Sequence, residues 1–315
     1  MSNFFHKAYN LFVGLIFIVL VLSTGCSQGP TDNLLLSVGD SEEIFLGGVP
    51  FFKQKTYQCG PSSLAMLLAW DGLNISPNDL TDAVYTAKLH GSLQPSLISA
   101  ARQYGRVAYP IKGLKELFEE LNAGHPVIIL QNLGLKWYPK WHYAVVIGYE
   151  NRGKKIILHT GIKESERISK RLFQKTWSSS DYWGLLILPA DKLPATATEE
   201  KYLNAIAGLE RAGQFEVAVR GYKTAINRWP ESLSAWMGLG NSFYAQGNLS
   251  SAASAFEQAI KLYPQNGMPQ NNLAQVLWEQ GKKEQALQTI RHAIDLGGPL
   301  KDLFEETLQN FEQNY

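Results

Sequence analysis

The sequence predicts two globular domains: an α+β domain over residues 46–190, with helices first and an antiparallel sheet afterwards, and an all-α solenoid over residues 201–315. Three observations support this prediction. The length of 315 residues favours two domains over one. Apolar residues change from helical to strand spacing within the first domain. The C-terminal part repeats itself every 34 residues. The polar stretch over residues 191–200 is the predicted linker between the two domains.

The bulk composition excludes several classes of protein. An apolar fraction of 45% and a charged fraction of 18% are typical of a chain that folds into ordinary cores. The formal net charge is +1 and no long segment is strongly basic, so no nucleic-acid partner is predicted. Cys26 and Cys59 are the only cysteines and lack the spacing of a metal site, although a disulfide between them stays open as an alternative.

Residues 1–25 have the pattern of an export signal. The apolar run Leu11–Leu22 is shorter than the roughly 20 residues that cross a bilayer. Residues 22–26 read Leu-Ser-Thr-Gly-Cys and resemble the lipobox of bacterial lipoproteins in its looser form. The resemblance implies a lipid on Cys26, a tether over residues 26–45 and attachment to a membrane. Because Ser27 follows Cys26, the resemblance implies the periplasmic face of the outer membrane. Ordinary signal cleavage that leaves a free Cys26 is the alternative.

Helix signals precede most of the strand signals in residues 46–190. Helices are predicted from Cys59 to Trp70, from Ser76-Pro77 onward, around residues 97–105 and around residues 114–124. Strand-like runs follow at residues 127–130, 143–149, 155–158 and 183–188, after an isolated one at 49–52. Asn151-Arg152-Gly153 predicts a hairpin turn. This order is typical of an α+β arrangement.

Residues 201–315 contain an internal repeat. The repeated positions are Gly213, Gly247 and Gly281; Ala218, Ala252 and Ala286; and Ala225, Ala259 and Ala293. A 34-residue period is the signature of tetratricopeptide (TPR) helix–turn–helix units. This resemblance implies about three repeats, a capping helix from Leu300, and a concave groove for a protein or peptide partner. A purely structural or dimer-forming helical tail is the alternative.

Cys59 and His142 are the candidate reacting groups. Cys59-Gly60-Pro61 begins an amphipathic helix, where the helix dipole and free N–H groups favour a thiolate and lower the thiol pKa. A thiol nucleophile also needs an imidazole that accepts its proton and later protonates the leaving amine. His142 begins an apolar strand that holds such a ring rigidly, which favours it over the other histidines.

These segments resemble the double-glycine-leader (bacteriocin-processing) peptidase family within the papain-like cysteine peptidases. Its members carry a glutamine, then a Cys-Gly helix, then a His-Tyr-x-Val-Val strand. The resemblance implies Cys59 as nucleophile, His142 as general base and Gln54 as oxyanion donor. Gln54 lies five residues before the cysteine rather than the usual six, and Gln58 is the weaker alternative. The order of domains is similar to a lipoprotein subgroup with C-terminal TPR repeats.

The family's third catalytic residue is missing. Members carry an Asp-Pro pair on the next strand, where the Asp orients the imidazole, whereas residues 157–161 read Ile-Leu-His-Thr-Gly. His159 stands approximately at the Asp position and is the predicted orienting group, with Thr160 as the other acceptor there.

The predicted function is a cell-envelope lipoprotein cysteine peptidase that hydrolyses peptide bonds through a Cys–His dyad, with neither metal nor organic cofactor. Its substrate is a peptide or protein, and the repeats recruit a protein partner. Two alternatives stay open: a catalytically inactive peptidase-like scaffold acting through its TPR groove, and hydrolysis or acyl transfer on another amide, such as a cell-wall peptide.

Overall fold

The computed structural model describes residues 41–314. The predicted signal, Cys26 and most of the predicted tether lie outside these residues. Within them, no helix has the length and apolar character needed to cross a membrane.

The first domain contains five helices and nine strands within the described residues. The helices are α1 (Cys59–Trp70), α2 (Thr81–Val84), α3 (Gln94–Gln103), α4 (Gly113–Asn122) and α5 (Lys170–Trp177). The strands are β1 (Ile44–Phe45), β2 (Tyr85–Thr86), β3 (Gly91–Ser92), β4 (Val107–Lys112), β5 (Val127–Asn132), β6 (Trp141–Glu150), β7 (Lys155–Thr160), β8 (Lys163–Ser169) and β9 (Trp183–Leu188).

Seven strands form one antiparallel sheet in the order β4-β9-β5-β6-β7-β8, with β1 paired to β6. The fully buried strands β5, β6, β7 and β9 occupy its middle and are rich in Val, Ile and Leu. Apolar residues of α1 and α3 pack on one face against Tyr143, Val145 and Ile147 of β6. His142 immediately precedes Tyr143 and lies at the start of β6, beyond the last residue pair of β6 and β7, which is Val145 and His159.

The predicted order of elements agrees with this fold, except that strands β1–β4 and β8 and helix α5 were not predicted and residues 49–52 form no strand. Helix α1 and strand β9 have the predicted bounds, and Asn151 and Arg152 adopt positive φ in the predicted turn. Residues 49–52 form no strand, since their backbone runs alongside the sheet and the carbonyl of Val49 contacts the His159 ring. The polar strand β8 and helix α5 had too few apolar residues to be predicted.

Residues 199–313 form seven helices. They are α6 (Glu199–Arg211), α7 (Phe215–Arg228), α8 (Leu233–Ala245), α9 (Leu249–Leu262), α10 (Gly267–Glu279), α11 (Lys283–Leu296) and α12 (Lys301–Gln313). The repeated glycines 213, 247 and 281 adopt φ of 73°, 72° and 78° between paired helices. This left-handed conformation suits glycine. The repeated alanines are fully buried, which confirms their predicted role in close helix packing.

The segment predicted as a linker is bound to the first domain rather than free. The Glu120 carboxylate of α4 is fully buried and accepts hydrogen bonds from the Thr196 backbone N–H at 2.7 Å, the Thr196 hydroxyl at 2.6 Å and the Ala195 N–H at 3.1 Å. His125 Nδ1 lies 2.7 Å from the same carboxylate. Burial raises the pKa of Glu120, but these hydrogen bonds outweigh it and hold the pKa below its ordinary value.

The first repeat also contacts the first domain directly. Gln214 Nε2 donates to the Gln103 carbonyl at 3.1 Å, and Lys201 Nζ donates to Glu116 Oε1 at 2.9 Å. The Arg102 guanidinium lies so close to Gly208 that a Cβ there would be 2.2 Å from Arg102 Cζ. These contacts hold α6 against β4, an edge strand that would otherwise present unpaired backbone groups.

Candidate active site

Cys59 is the first residue of α1, at the end of the helix that faces β6. Its neighbour Gly60 is buried, and a Cβ at that position would lie 2.4 Å from the Ser92 hydroxyl oxygen. The glycine is therefore required for close approach of the β2–β3 hairpin to the helix. Cys59 forms no disulfide with any described residue.

The thiol of Cys59 is enclosed by backbone groups. The backbone N–H groups of Tyr143, Gly60 and Cys59 itself favour the thiolate and act to lower its pKa. Burial nevertheless raises the pKa of the thiol above its ordinary value. The expectation of a lowered pKa is therefore wrong for this structure, because desolvation of a thiolate outweighs the helix terminus and the N–H donors. At neutral pH Cys59 is a thiol.

His142 is the second residue of β6, adjacent in sequence to Tyr143. Its Nε2 lies 2.8 Å from the Thr160 hydroxyl oxygen at the end of β7. When Nε2–H donates to this hydroxyl, Nδ1 is the ring nitrogen that can accept a proton. Burial lowers the pKa of His142, and the negative charge of Glu166 partly offsets this. The ring is therefore neutral at pH 7 and able to accept a proton.

Thr160, and not His159, contacts the His142 ring. Successive residues of β7 point to opposite faces of the sheet, so only one of the two can reach it. His159 Nε2 lies 3.1 Å from the Val49 carbonyl, and its Nδ1 accepts the Ser165 N–H at 3.1 Å. The prediction that His159 orients the imidazole is therefore wrong. His159 instead ties residue 49 and the start of β8 to the sheet.

Gln54 is buried between the elements that carry the other site residues. Its Nε2 donates to the Tyr143 carbonyl at 3.2 Å and, over a longer 3.5 Å, to the Ser63 hydroxyl of α1. Its Oε1 accepts the Gly161 N–H at 3.1 Å, just past β7. The amide thus joins α1, β6 and the end of β7. Gln58 occupies the N-cap position of α1 without a side-chain capping bond.

Glu166 on β8 is a site residue that the sequence did not reveal. Its carboxylate acts on His142 through its charge and forms an ion pair with Lys163 at 2.5 Å. The sequence did not point to Glu166 because β8 consists mostly of polar and charged residues and has no apolar pattern. No three His, Cys, Asp or Glu side chains in residues 41–314 are grouped so as to hold a metal ion.

Comparisons with known proteins give the following matches. The sequence model of the Peptidase C39-like family matches residues 47–183, and tetratricopeptide repeat models match residues 208–267 and 240–300. The sequence matches none of the curated proteins with which it was compared.

Three solved structures illustrate the similar folds. A putative C39-like peptidase from Bacillus anthracis is 19% identical with a TM-score of 0.41, covering 47% of this chain and 98% of its own. The peptidase domain of Streptococcus ComA is 25% identical with a TM-score of 0.37, covering 44% and 96%. The Yersinia enterocolitica secretion chaperone SycD, with a peptide of the translocator YopD, is 16% identical with a TM-score of 0.34, covering 36% and 92%.

The two regions identified by sequence pattern thus coincide with two known kinds of domain. Cys59, His142, Gln54 and most of the antiparallel sheet lie within the first family match, and most of the paired helices lie within the second. The chain carries a C39-peptidase-like domain over residues 47–183, followed by tetratricopeptide repeats.

Proposed function

We propose that the protein is a cysteine peptidase whose nucleophile is Cys59 and whose general base is His142. The observation that carries the proposal is the packing of the start of α1 against β6, which places Cys59 in one cluster with Tyr143, the residue that follows His142. Because both the thiol and the imidazole are neutral, general-base activation is favoured over a preformed ion pair.

The proposed reaction uses only side chains and backbone groups of this chain. As Cys59 Sγ attacks the scissile carbonyl carbon, its proton passes to His142 Nδ1, while Nε2–H donates to the Thr160 hydroxyl. The negative charge on the carbonyl oxygen is stabilised by the Cys59 N–H and by the amide of Gln54, which gives up its long contact to Ser63. The amine leaves with the proton from His142, and water then hydrolyses the thioester by the same proton path.

The repeats are proposed to recruit a protein or peptide partner through their concave groove. Support comes from the contacts of Glu120, Arg102 and Gln103 with the linker and first repeat, because a ligand in the groove is then presented at a defined orientation. Attachment to a membrane through a lipid on Cys26, at the periplasmic face of the outer membrane, is proposed from the sequence of residues 1–27 alone.

A second function, an inactive peptidase-like scaffold, is favoured by one observation. Thr160 is uncharged, so it orients the His142 ring but does not stabilise the imidazolium that forms during catalysis. Glu166 supplies a charge without a direct hydrogen bond. Under this alternative the function resides in the groove and does not require Cys59.

Incubation with a peptide library and a thiol-reactive probe separates the two proposals. The parent protein is expected to cleave peptides and to be labelled, faster as the pH rises because the Cys59 pKa is raised. In protein that carries Cys26→Ser, so that Cys59 is the sole thiol, Cys59→Ala removes both signals, and His142→Ala lowers cleavage by about 1000-fold or more. Equal cleavage by Cys59→Ala would exclude the peptidase proposal, whereas labelling without any cleavage would favour the scaffold.

A further inference from the structure

The exposed apolar side chains of this protein are concentrated at one end of the first domain. Nine large apolar side chains in residues 41–314 are at least 50% exposed. They are Tyr57, Leu89, Leu93, Leu133, Leu135, Trp137, Tyr138, Trp141 and Ile162. We call them the apolar rim. All lie in the four segments that surround the candidate site: the approach to α1, the β2–β3 region, the β5–β6 hairpin and the β7–β8 turn.

The β5–β6 hairpin carries five members of the rim on a rigid tip. Leu135 and Tyr138 exchange backbone hydrogen bonds of 3.1 Å in both directions, which leaves Lys136 and Trp137 at the turn. Trp137 is 81% exposed. Buried Asn132 accepts the N–H groups of residues 134 and 140, each at 2.9 Å. The apolar side chains are therefore displayed on an ordered backbone.

Three of these four segments are positively charged. Residues 51–60, 85–93 and 131–142 contain five lysines and no Asp or Glu. The lysines are Lys53, Lys55, Lys88, Lys136 and Lys140, all exposed, and none forms an ion pair with an acidic residue in the described part of the chain. The fourth segment, the β7–β8 turn, leads into β8, where the acidic residues Glu164 and Glu166 follow Lys163 and Glu166 is paired with it.

We propose that the apolar rim docks on the surface of an anionic phospholipid bilayer, with Trp137 and its neighbours in the interfacial layer. Tryptophan and tyrosine favour that layer, and lysine stems lie along apolar surface while their ammonium groups reach the headgroups. A projecting tip fits a flat bilayer, whereas a protein partner is more often matched by a groove. Charge complementarity supports the same occupant, because lysines near an anionic surface contribute additively to binding.

The segment between the predicted lipid site and the described residues is short. Fourteen residues, 27–40, lie between Cys26 and residue 41, and this segment extends at most about 50 Å. A single acyl chain gives marginal, reversible binding, and a second membrane contact makes the attachment stable. Docking by the rim would supply that contact and bring the cleft beside Cys59 to the bilayer surface. The proposal is independent of catalysis, because Cys59→Ala is expected to bind vesicles like the parent.

The test is co-flotation with vesicles of phosphatidylglycerol and phosphatidylethanolamine, against phosphatidylcholine vesicles. All variants begin at residue 26, as the predicted mature chain does, and carry Cys26→Ser, so that neither the apolar signal run nor an acyl chain contributes. The double variant Leu135→Ser/Trp137→Ser is expected to lower partitioning at least about tenfold. Lys136→Gln/Lys140→Gln is expected to lower it about tenfold on anionic vesicles only.

The matched control is Leu300→Ser/Leu303→Ser, which removes two exposed leucines of 42% and 43% exposure far along the chain from the rim. It should partition like the parent. An equal loss in the control, or no loss in either hairpin variant, overturns the proposal. A raised KM for peptides without vesicles, with unchanged partitioning, would make the hairpin a substrate contact and also overturn it. If the double variant unfolds, Trp137→Ala provides the same comparison.

Discussion

The helical repeats and the peptidase-like domain are specified over different distances along the chain. In the repeats, Gly240 packs on Phe256 of the next helix, only 16 positions later in the chain. In the peptidase-like domain, Gln54 contacts Gly161 across 107 positions and Tyr143 across 89. The helix packing in the repeats can therefore be predicted from the repeat period of the sequence. Contacts across the sheet form only when every strand is in place.

The two regions meet at Glu120, and changing it should give the largest loss of stability. Glu120→Ala leaves the Thr196 amide and hydroxyl, the Ala195 amide and His125 without their shared acceptor. We expect a loss of about 2–4 kcal/mol in the free energy of unfolding, measured by denaturant titration.

Glu119→Ala, on the exposed side of the same helix, is the matched control and should stay within about 0.5 kcal/mol of the parent. If both variants unfold at the same denaturant concentration as the parent, the two regions are not coupled through this carboxylate. Two separate transitions in Glu120→Ala alone would show that the carboxylate makes them one cooperative unit.

Within the repeats, Gly240→Ala tests the local packing. The new Cβ would lie 2.3 Å from Phe256 Cε1, so the ring must move, at a cost of about 1–3 kcal/mol. Thermal unfolding followed by circular dichroism measures the effect. Ser254→Ala on the exposed face of α9 should change little, and a Gly240→Ala protein as stable as Ser254→Ala would contradict the close packing.

In the peptidase-like domain, Thr160 tests how the imidazole is held. Thr160→Val keeps the shape but removes the hydroxyl 2.8 Å from His142 Nε2, so we expect kcat/KM for a cleaved peptide to fall about tenfold. Thr160→Asp places a charge there, and the acidic limb of the pH–rate profile should move to higher pH because the His142 pKa rises. An unchanged profile in Thr160→Asp would show that residue 160 does not contact the ring during catalysis.

The smallest expected effect is a dependence of stability on pH that arises from two histidines of the sheet. Burial lowers the pKa values of His142 and His159, so both rings favour the folded state when neutral. Their contribution to the free energy of unfolding is complete above about pH 6.5. It is lost as the pH falls through the lowered pKa values of the two rings in the folded state. Melting temperatures between pH 8 and 5 should therefore decline, with a smaller slope in His159→Asn. A slope equal to that of the parent would exclude His159 as a source.

Some residues of the candidate site could be predicted from the sequence and others could not, for a physical reason. Cys59 and Gln54 lie close together in sequence and His142 begins an apolar strand, so short motifs pointed to all three. His159 and Thr160 are adjacent, and only the register of β6 against β7 decides which one faces His142. A one-residue difference in register moves a side chain to the other face of a sheet. That register depends on contacts with the whole sheet.

The order of the two domains, the bounds of α1 and β9, and the helical repeat with its left-handed glycines followed from the sequence alone, since each depends on residues near one another along the chain. The tertiary structure decided the raised pKa of Cys59, the choice of Thr160 over His159, the role of Glu166 and the anchoring of the linker by Glu120. Each of these depends on burial or charge contributed by distant segments, and a one-dimensional pattern carries no information on burial by a distant neighbour.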